Sequence, residues 1–177
     1  IRRLETILKN HKELESRNIK SIDSKISGNA LLMPYIQDDT LSDYLKKIIK
    51  VDTEKFITLF DRLYEIILQS SVHAARENNM FNSKDDFLDF GVILEKAYID
   101  MIPINCFYNN GDFIFFDQEF TREYYPAKYV LFRALKYTYY FINEADSIIP
   151  LEYMKKKYGL TGLWDIFEKE EYDFVSK

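Results

Sequence analysis

Between Ile104 and Phe116, two short apolar runs flank Asn109-Asn110-Gly111-Asp112. Asn-Gly tolerates the positive φ angles that a two-residue turn demands, so the segment is expected to fold as a tight antiparallel hairpin. A hairpin brings its two ends together, and here both ends carry oxygen donors. Asp100-Met101-Ile102-Pro103-Ile104-Asn105 leads in, and Asp117-Gln118-Glu119 leads out. The turn therefore predicts that Asp100, Asn105 and Asp117 meet at one acidic, oxygen-rich spot.

Around the hairpin the patterning is mostly helical. Leu4, Ile7 and Leu8 recur among charges from Ile1 to Arg17, giving an amphipathic helix of about four turns. Asn18 to Ile26 alternates weakly, Ser27-Gly28-Asn29 turns, and Ala30 to Ile36 is apolar, which together read as a strand pair. Pro34 cannot donate to a ladder, so the second strand ends there or lies at an edge. Thr40 and Asp43 have capping-box spacing ahead of Leu41, Tyr44, Leu45, Ile48 and Ile49. Asp52 or Thr53 caps a core helix that carries Phe56, Ile57, Phe60, Leu63, Ile66, Ile67 and Val72. A polar stretch from Arg76 to Asp86 interrupts. Phe87 to Tyr98 then resumes helical spacing through Phe90, Ile93, Leu94 and Ala97. Pro126 suits the first turn of a helix bearing Tyr129, Val130, Phe132, Leu135, Tyr139 and Ile142. Two shorter helices, Leu151 to Tyr158 and Leu163 to Val175, finish the chain. The class expected is α+β, mainly α.

Composition narrows the functions. At 177 residues, with 47% hydrophobic residues, the chain can bury one genuine core, and most of its 14 Tyr and 14 Phe read as part of it. A formal charge of −5 supplies no basic field for nucleic acid. The single cysteine, Cys106, allows no internal disulfide, and two histidines without a Cys cluster disfavour structural zinc, which fits a reducing cytoplasm. No apolar run approaches the roughly 20 residues that span a bilayer, so any membrane association at its inner face would run through partners. Ile1 falls inside a helical pattern, which predicts a piece of a longer protein.

Phosphoryl transfer needs a base for the attacking hydroxyl and hard oxygen ligands that hold magnesium against the phosphates. Asp100-x-x-x-x-Asn105, a short hairpin and then Asp117 resembles the catalytic and metal loops of protein-kinase-like enzymes. The resemblance implies that Asp100 orients the acceptor hydroxyl while Asn105 and Asp117 hold Mg2+ beside ATP. Glu119 is either a further metal neighbour or a salt-bridge partner for Arg122 or Arg133. Leu31 to Ile36, followed by Thr40-Leu41, resembles a kinase hinge, with Met33 as gatekeeper and adenine bonded to the Pro34 carbonyl and the Ile36 amide. Glu5 is the best-placed ion-pair glutamate of the first helix, with Glu13 and Glu15 as alternatives.

Asp100 lacks a preceding His-Arg, and Asp117 is followed by Gln-Glu rather than Phe-Gly. Phe116-Asp117-Gln118-Glu119 is closer to the Asp-x-Glu segment of choline-kinase and aminoglycoside-phosphotransferase relatives. Together with Pro103 and Phe132-Arg133-Ala134-Leu135, it is similar to kinase-like modules joined to methyltransferases or glycosyltransferases in bacterial surface-polysaccharide synthesis. The resemblance covers roughly residues 1 to 145. It implies a small-lobe remnant at 1–36, a helix and two strands ending in the hinge, and a helical large lobe at 37–177 with its catalytic hairpin at 100–119. The glycine-rich loop and lysine strand would precede Ile1, since the five glycines are scattered at 28, 91, 111, 159 and 162.

Two functions follow from the resemblance. One is ATP- and Mg2+-dependent transfer of phosphate to a hydroxyl of a sugar or other small molecule. The other is a catalytically degenerate interaction module beside a methyltransferase or glycosyltransferase. Plainer readings hold elsewhere: Asp38 and Asp39 as helix caps, His11 and His73 as solvated or locally bonded, Lys155-Lys156-Lys157 as a wet helix face, and Tyr137 to Tyr140 as core.

Overall fold

A computed structural model describes residues 2–81 and 87–176. The expected helix start at Ile1 and the end of the polar stretch, 82–86, lie outside the described residues. The chain begins with α1 (Arg2–Glu15), a short hairpin of β1 (Lys25–Ser27) and β2 (Ala30–Leu32), then α2 (Leu41–Ile48) and α3 (Thr53–Gln69). Strands β3 (His73–Ala74) and β4 (Ile93–Tyr98) follow, then the hairpin of β5 (Cys106–Asn109) and β6 (Asp112–Phe115), and β7 (Thr121–Pro126). Helices α4 (Ala127–Phe141), α5 (Ala145–Ile148), α6 (Leu151–Lys157) and α7 (Trp164–Val175) complete it. Among the described residues the fold is α+β, with seven α-helices and three small antiparallel sheets. No helix among them is long and apolar enough to cross a membrane.

The central hairpin forms as its turn chemistry requires. Cys106 pairs with Phe115 and Asn109 with Asp112, while Asn110 and Gly111 take φ of 48° and 91°. Both turn residues thus lie at positive φ, where Asn and Gly are least penalised. The hairpin is flanked on both sides by chain from distant positions. Ile22 donates its amide to the Phe115 carbonyl at 2.9 Å, and Tyr108 donates to the Asp39 carbonyl at 3.0 Å. The weakly alternating stretch after α1 is therefore divided between β1 and an extension of the hairpin.

Three local expectations are corrected. Phe87 to Tyr98 is not helical where its apolar residues fall, because Ile93–Tyr98 is the central strand of the order β3-β4-β7. Ile93, Leu94, Ala97 and Tyr98 are all buried, so both faces of β4 are covered and the period-two signal is lost. Asp38 and Asp39 are not caps. Thr40 caps α2 by accepting the Asp43 amide at 3.1 Å, while Asp38 accepts from Asn109 Nδ2 at 2.9 Å and Asp39 pairs with Lys47 at 2.5 Å. The lysine run is not uniformly wet either: Lys155 sits 4.5 Å from the Trp164 ring centroid, and Lys157 pairs with Asp61 at 3.1 Å.

Helix α4 is buried on nearly all sides, as expected for a helix enclosed by a sheet and other helices. Its Tyr129 and Phe132 pack on Phe167 of α7 with ring centroids 5.4 and 5.5 Å apart, and Phe81 joins them at 5.2 Å. This aromatic layer seats α7 beneath the loops that leave β4 and enter β7.

Candidate active site

Two antiparallel ladders bring the predicted residues together. Tyr98 pairs with Thr121 across β4 and β7, and the Ile99 amide continues the ladder onto the Phe120 carbonyl at 3.2 Å. Across the hairpin, the Phe116 amide bonds the Asn105 carbonyl at 3.0 Å. The loop from Asp100 to Asn105 therefore lies against the loop from Phe116 to Phe120. Gln118, fully buried between them, donates Nε2 to the carbonyls of Asp100 (3.0 Å) and Phe116 (2.9 Å). Its Oε1 has no hydrogen-bond partner among the described residues.

Asp100 is only 7% exposed. One carboxylate oxygen accepts the Phe120 amide at 2.8 Å, and the other lies 3.3 Å from Arg133 Nη1. Burial raises its pKa above the usual carboxylate value; the Phe120 N–H and Arg133 oppose this, and the charge of Asp117 adds to it.

Asp117 differs in every respect. It is exposed, its carboxylate has no hydrogen bond or ion pair among the described residues, and its backbone is left-handed at φ 51°. Aspartate is among the few non-glycine residues that adopt this region readily, because its short polar side chain can bond locally. Asn105 donates its amide nitrogen to the Asp100 carbonyl at 3.2 Å, and its side-chain oxygen has no hydrogen bond among the described residues. The free donors are thus one carboxylate and one amide oxygen. No group of three His, Cys, Asp or Glu side chains able to hold a metal exists among the described residues. Two hard oxygens suit a cation that brings its other ligands with it, as magnesium does with water and phosphate.

Glu119 pairs with Arg3 of α1 at 2.6 Å, not with Arg122 or Arg133. Helix α1 also reaches this loop through Asn10, whose Nδ2 donates to the Gln118 carbonyl at 2.7 Å. Lys96 of β4 joins the same network, bonding Asn10 Oδ1 at 2.9 Å and Glu13, which also accepts from the Tyr98 hydroxyl at 2.7 Å. Glu5 lies exposed and makes no ion pair among the described residues; Glu13, one of its alternatives, pairs with Lys96 and, at 3.8 Å, with Lys9. His11 is not solvated. It is buried, with Nδ1 3.4 Å from the Ser24 hydroxyl, and burial lowers its pKa against the raising charges of Glu15 and Asp117. His73 is exposed and locally bonded, 2.8 Å from the Leu68 carbonyl.

The segment expected to hold adenine is open to solvent. Met33 and Pro34 are exposed, Ile36 is half-buried and Tyr35 is 88% exposed. None of Met33, Pro34 and Ile36 shares a hydrogen bond with Asp100, Asn105 or Asp117. Beyond this segment, Gln37, Asp38, Tyr44, Tyr108 and Asn110 line an open concavity of about 590 Å³ at the turn end of the hairpin, away from Asp117.

Beneath Asp100 lies a buried network that the motifs did not reveal. Arg133 Nε donates to Glu171 of α7 at 2.9 Å, and Nη1 bonds the Ile99 carbonyl as well as facing Asp100. Tyr129 and Tyr137 donate to the two oxygens of Glu171 at 2.8 and 2.6 Å. Burial pushes the Glu171 carboxyl up, but Arg133 and the two hydroxyls outweigh it and hold it below the usual range. A sequence signal did exist: an arginine inside the apolar run Tyr129 to Leu135 must find buried partners.

Protein-family models match no part of the chain, and no curated protein matches it.

Proposed function

We propose that this chain is the larger lobe of a kinase-like phosphotransferase of the choline-kinase and aminoglycoside-phosphotransferase type, acting on a hydroxyl of a sugar or other small molecule. The observation that carries the reading is the convergence at the exits of two ladders: Asp117 and Asn105 keep free oxygens there, while Asp100 is fixed beside them. Such a division of labour matches a reaction that is mostly positioning and charge stabilisation. Asn105 and Asp117 would hold magnesium, which when bound neutralises charge on the nucleotide phosphates. Asp100 accepts the acceptor's proton as its oxygen bonds to the γ-phosphorus, the bond to the β–γ bridging oxygen breaks, and ADP leaves. Met33, Pro34 and Ile36 would meet adenine, under a further lobe that supplies the glycine loop and lysine. The exposed Leu32, Met33 and Tyr35 are consistent with a covering partner.

A second reading rests on Asp100 itself. Both of its oxygens are engaged, which suits a kinase-like module retained for docking beside a transferase.

Titrating ATP against this chain alone and against a form joined to the proposed further lobe, with and without magnesium, separates the two. The phosphotransferase reading expects magnesium-dependent binding by the two-lobe form and at least about tenfold weaker binding by the 177 residues alone, which would lack the glycine loop and lysine. Equal affinity would remove the need for a second lobe, and magnesium-independent binding by both would favour the docking module.

A further inference from the structure

The network beneath Asp100 holds three charged groups, and the distances between them are unequal. Arg133 is drawn to Glu171 at 2.9 Å, whereas its contact with Asp100 is 3.3 Å. Tyr129 and Tyr137 also donate to Glu171 and fix the carboxylate where it meets the guanidinium. Asp100 is left with its shorter bond, 2.8 Å, to the Phe120 amide, at the start of the strand that follows Asp117. All three charges are more than nine-tenths buried, so each feels its neighbours with little screening by water.

We propose that Glu171, on helix α7, is a positioning residue for Asp100: by anchoring Arg133 it stops the buried cation from capturing Asp100 and keeps that carboxylate on the Phe120 amide. The chemical consequence for Asp100 rests on the phosphotransferase reading above; the geometric consequence does not. With Glu171 neutralised, Arg133 has one anion within reach. Asp100, which already meets Arg133 through one oxygen, rotates to take it with both, and the Phe120 amide loses its acceptor. The last helix described thereby governs the orientation of a group in the β4–β5 loop that it does not touch.

Hydrogen exchange at the Phe120 amide, followed by NMR in the full-length protein, reads this directly. Glu171→Gln is expected to speed exchange there by about tenfold or more, whereas Glu171→Asp, which keeps the charge, stays within about threefold of wild type. The decisive variant is Glu171→Gln combined with Arg133→Met. With the cation removed as well, nothing competes with the Phe120 amide, and protection returns to within about threefold of wild type. Loss of Phe120 protection in the double variant would show that Arg133 itself holds Asp100, and would overturn the proposal. Unchanged protection in a folded Glu171→Gln protein would overturn it too. If Glu171→Gln does not fold, the double variant decides alone. In turnover, Glu171→Gln is expected to lower kcat about tenfold with the ATP Kd within about twofold, and Glu171→Asp to restore kcat. A wild-type protein that transfers no phosphate refutes the functional reading and leaves the amide test standing.

Discussion

If the chain acts as the proposed phosphotransferase, replacing Asp117 by asparagine is expected to lower magnesium-dependent phosphate transfer by about 10²- to 10³-fold while leaving the fold intact. The side chain is exposed and unpaired among the described residues, so no packing is lost. Its left-handed backbone at φ 51° is one that asparagine adopts readily, so the substitution isolates the charge. Asparagine keeps an oxygen but cannot neutralise a divalent cation. Steady-state turnover at saturating magnesium, alongside a urea unfolding curve, separates chemistry from stability. A variant with normal turnover would remove Asp117 from the proposed metal site, and with it the main support for the phosphotransferase proposal. Alanine is a poorer choice, because it adds the backbone penalty of left-handed φ to the loss of charge.

The largest effect on stability is expected at Phe167. Its ring is fully buried on α7 and meets Phe81, Phe90, Tyr129 and Phe132 at centroid separations of 5.2 to 6.3 Å. Truncating such a residue to alanine removes its transfer free energy and leaves a cavity, together costing about 3–5 kcal/mol. The edge-to-face contacts with Phe81 and Tyr129 place it toward the upper end. Domains of this size are stable by roughly 5–15 kcal/mol, so Phe167→Ala takes up a large part of the margin. Urea midpoints measured on Phe167→Ala and wild type give the difference. A loss below about 1 kcal/mol would mean that α7 is seated by something other than this aromatic layer. Because Glu171 lies one turn further along α7, loosening the helix also loosens the hold on Arg133.

What could be read in advance was whatever is encoded locally. Asn110-Gly111 fixed the hairpin because its two φ angles are set by those residues alone. Thr40 and Asp43 fixed the start of α2 for the same reason. Local signals then failed where burial or distance takes over. Strand β4 is covered on both faces, so its residues show no alternation and resemble a buried helix. The pairing of residues 20–22 with β6 joins segments almost a hundred positions apart, and no short pattern encodes it. Of the candidate site, Asp100, Asn105 and Asp117 were legible because a hairpin must return to its origin. Their different surroundings were not. Only the fold shows that Asp100 is enclosed and bonded while Asp117 is open, or that Glu119 is taken by Arg3. Glu171 lay in a helix rich in acidic residues, where nothing distinguished a buried carboxylate from an exposed one.

Manganese(II) shares magnesium's preference for oxygen ligands and broadens the NMR signals of nearby nuclei, so it can report where a metal–nucleotide complex sits. Adding a substoichiometric amount of manganese and ATP to the isotope-labelled full-length protein is the most direct test of the account. The expected result is loss of signal centred on Asn105, Asp117 and Gln118, sparing the turn at Asn109 to Asp112. Broadening centred instead on Asp38, Asn109 and Asn110, where the open concavity lies, would contradict it, because the metal would then avoid the free oxygens that the two ladders bring together.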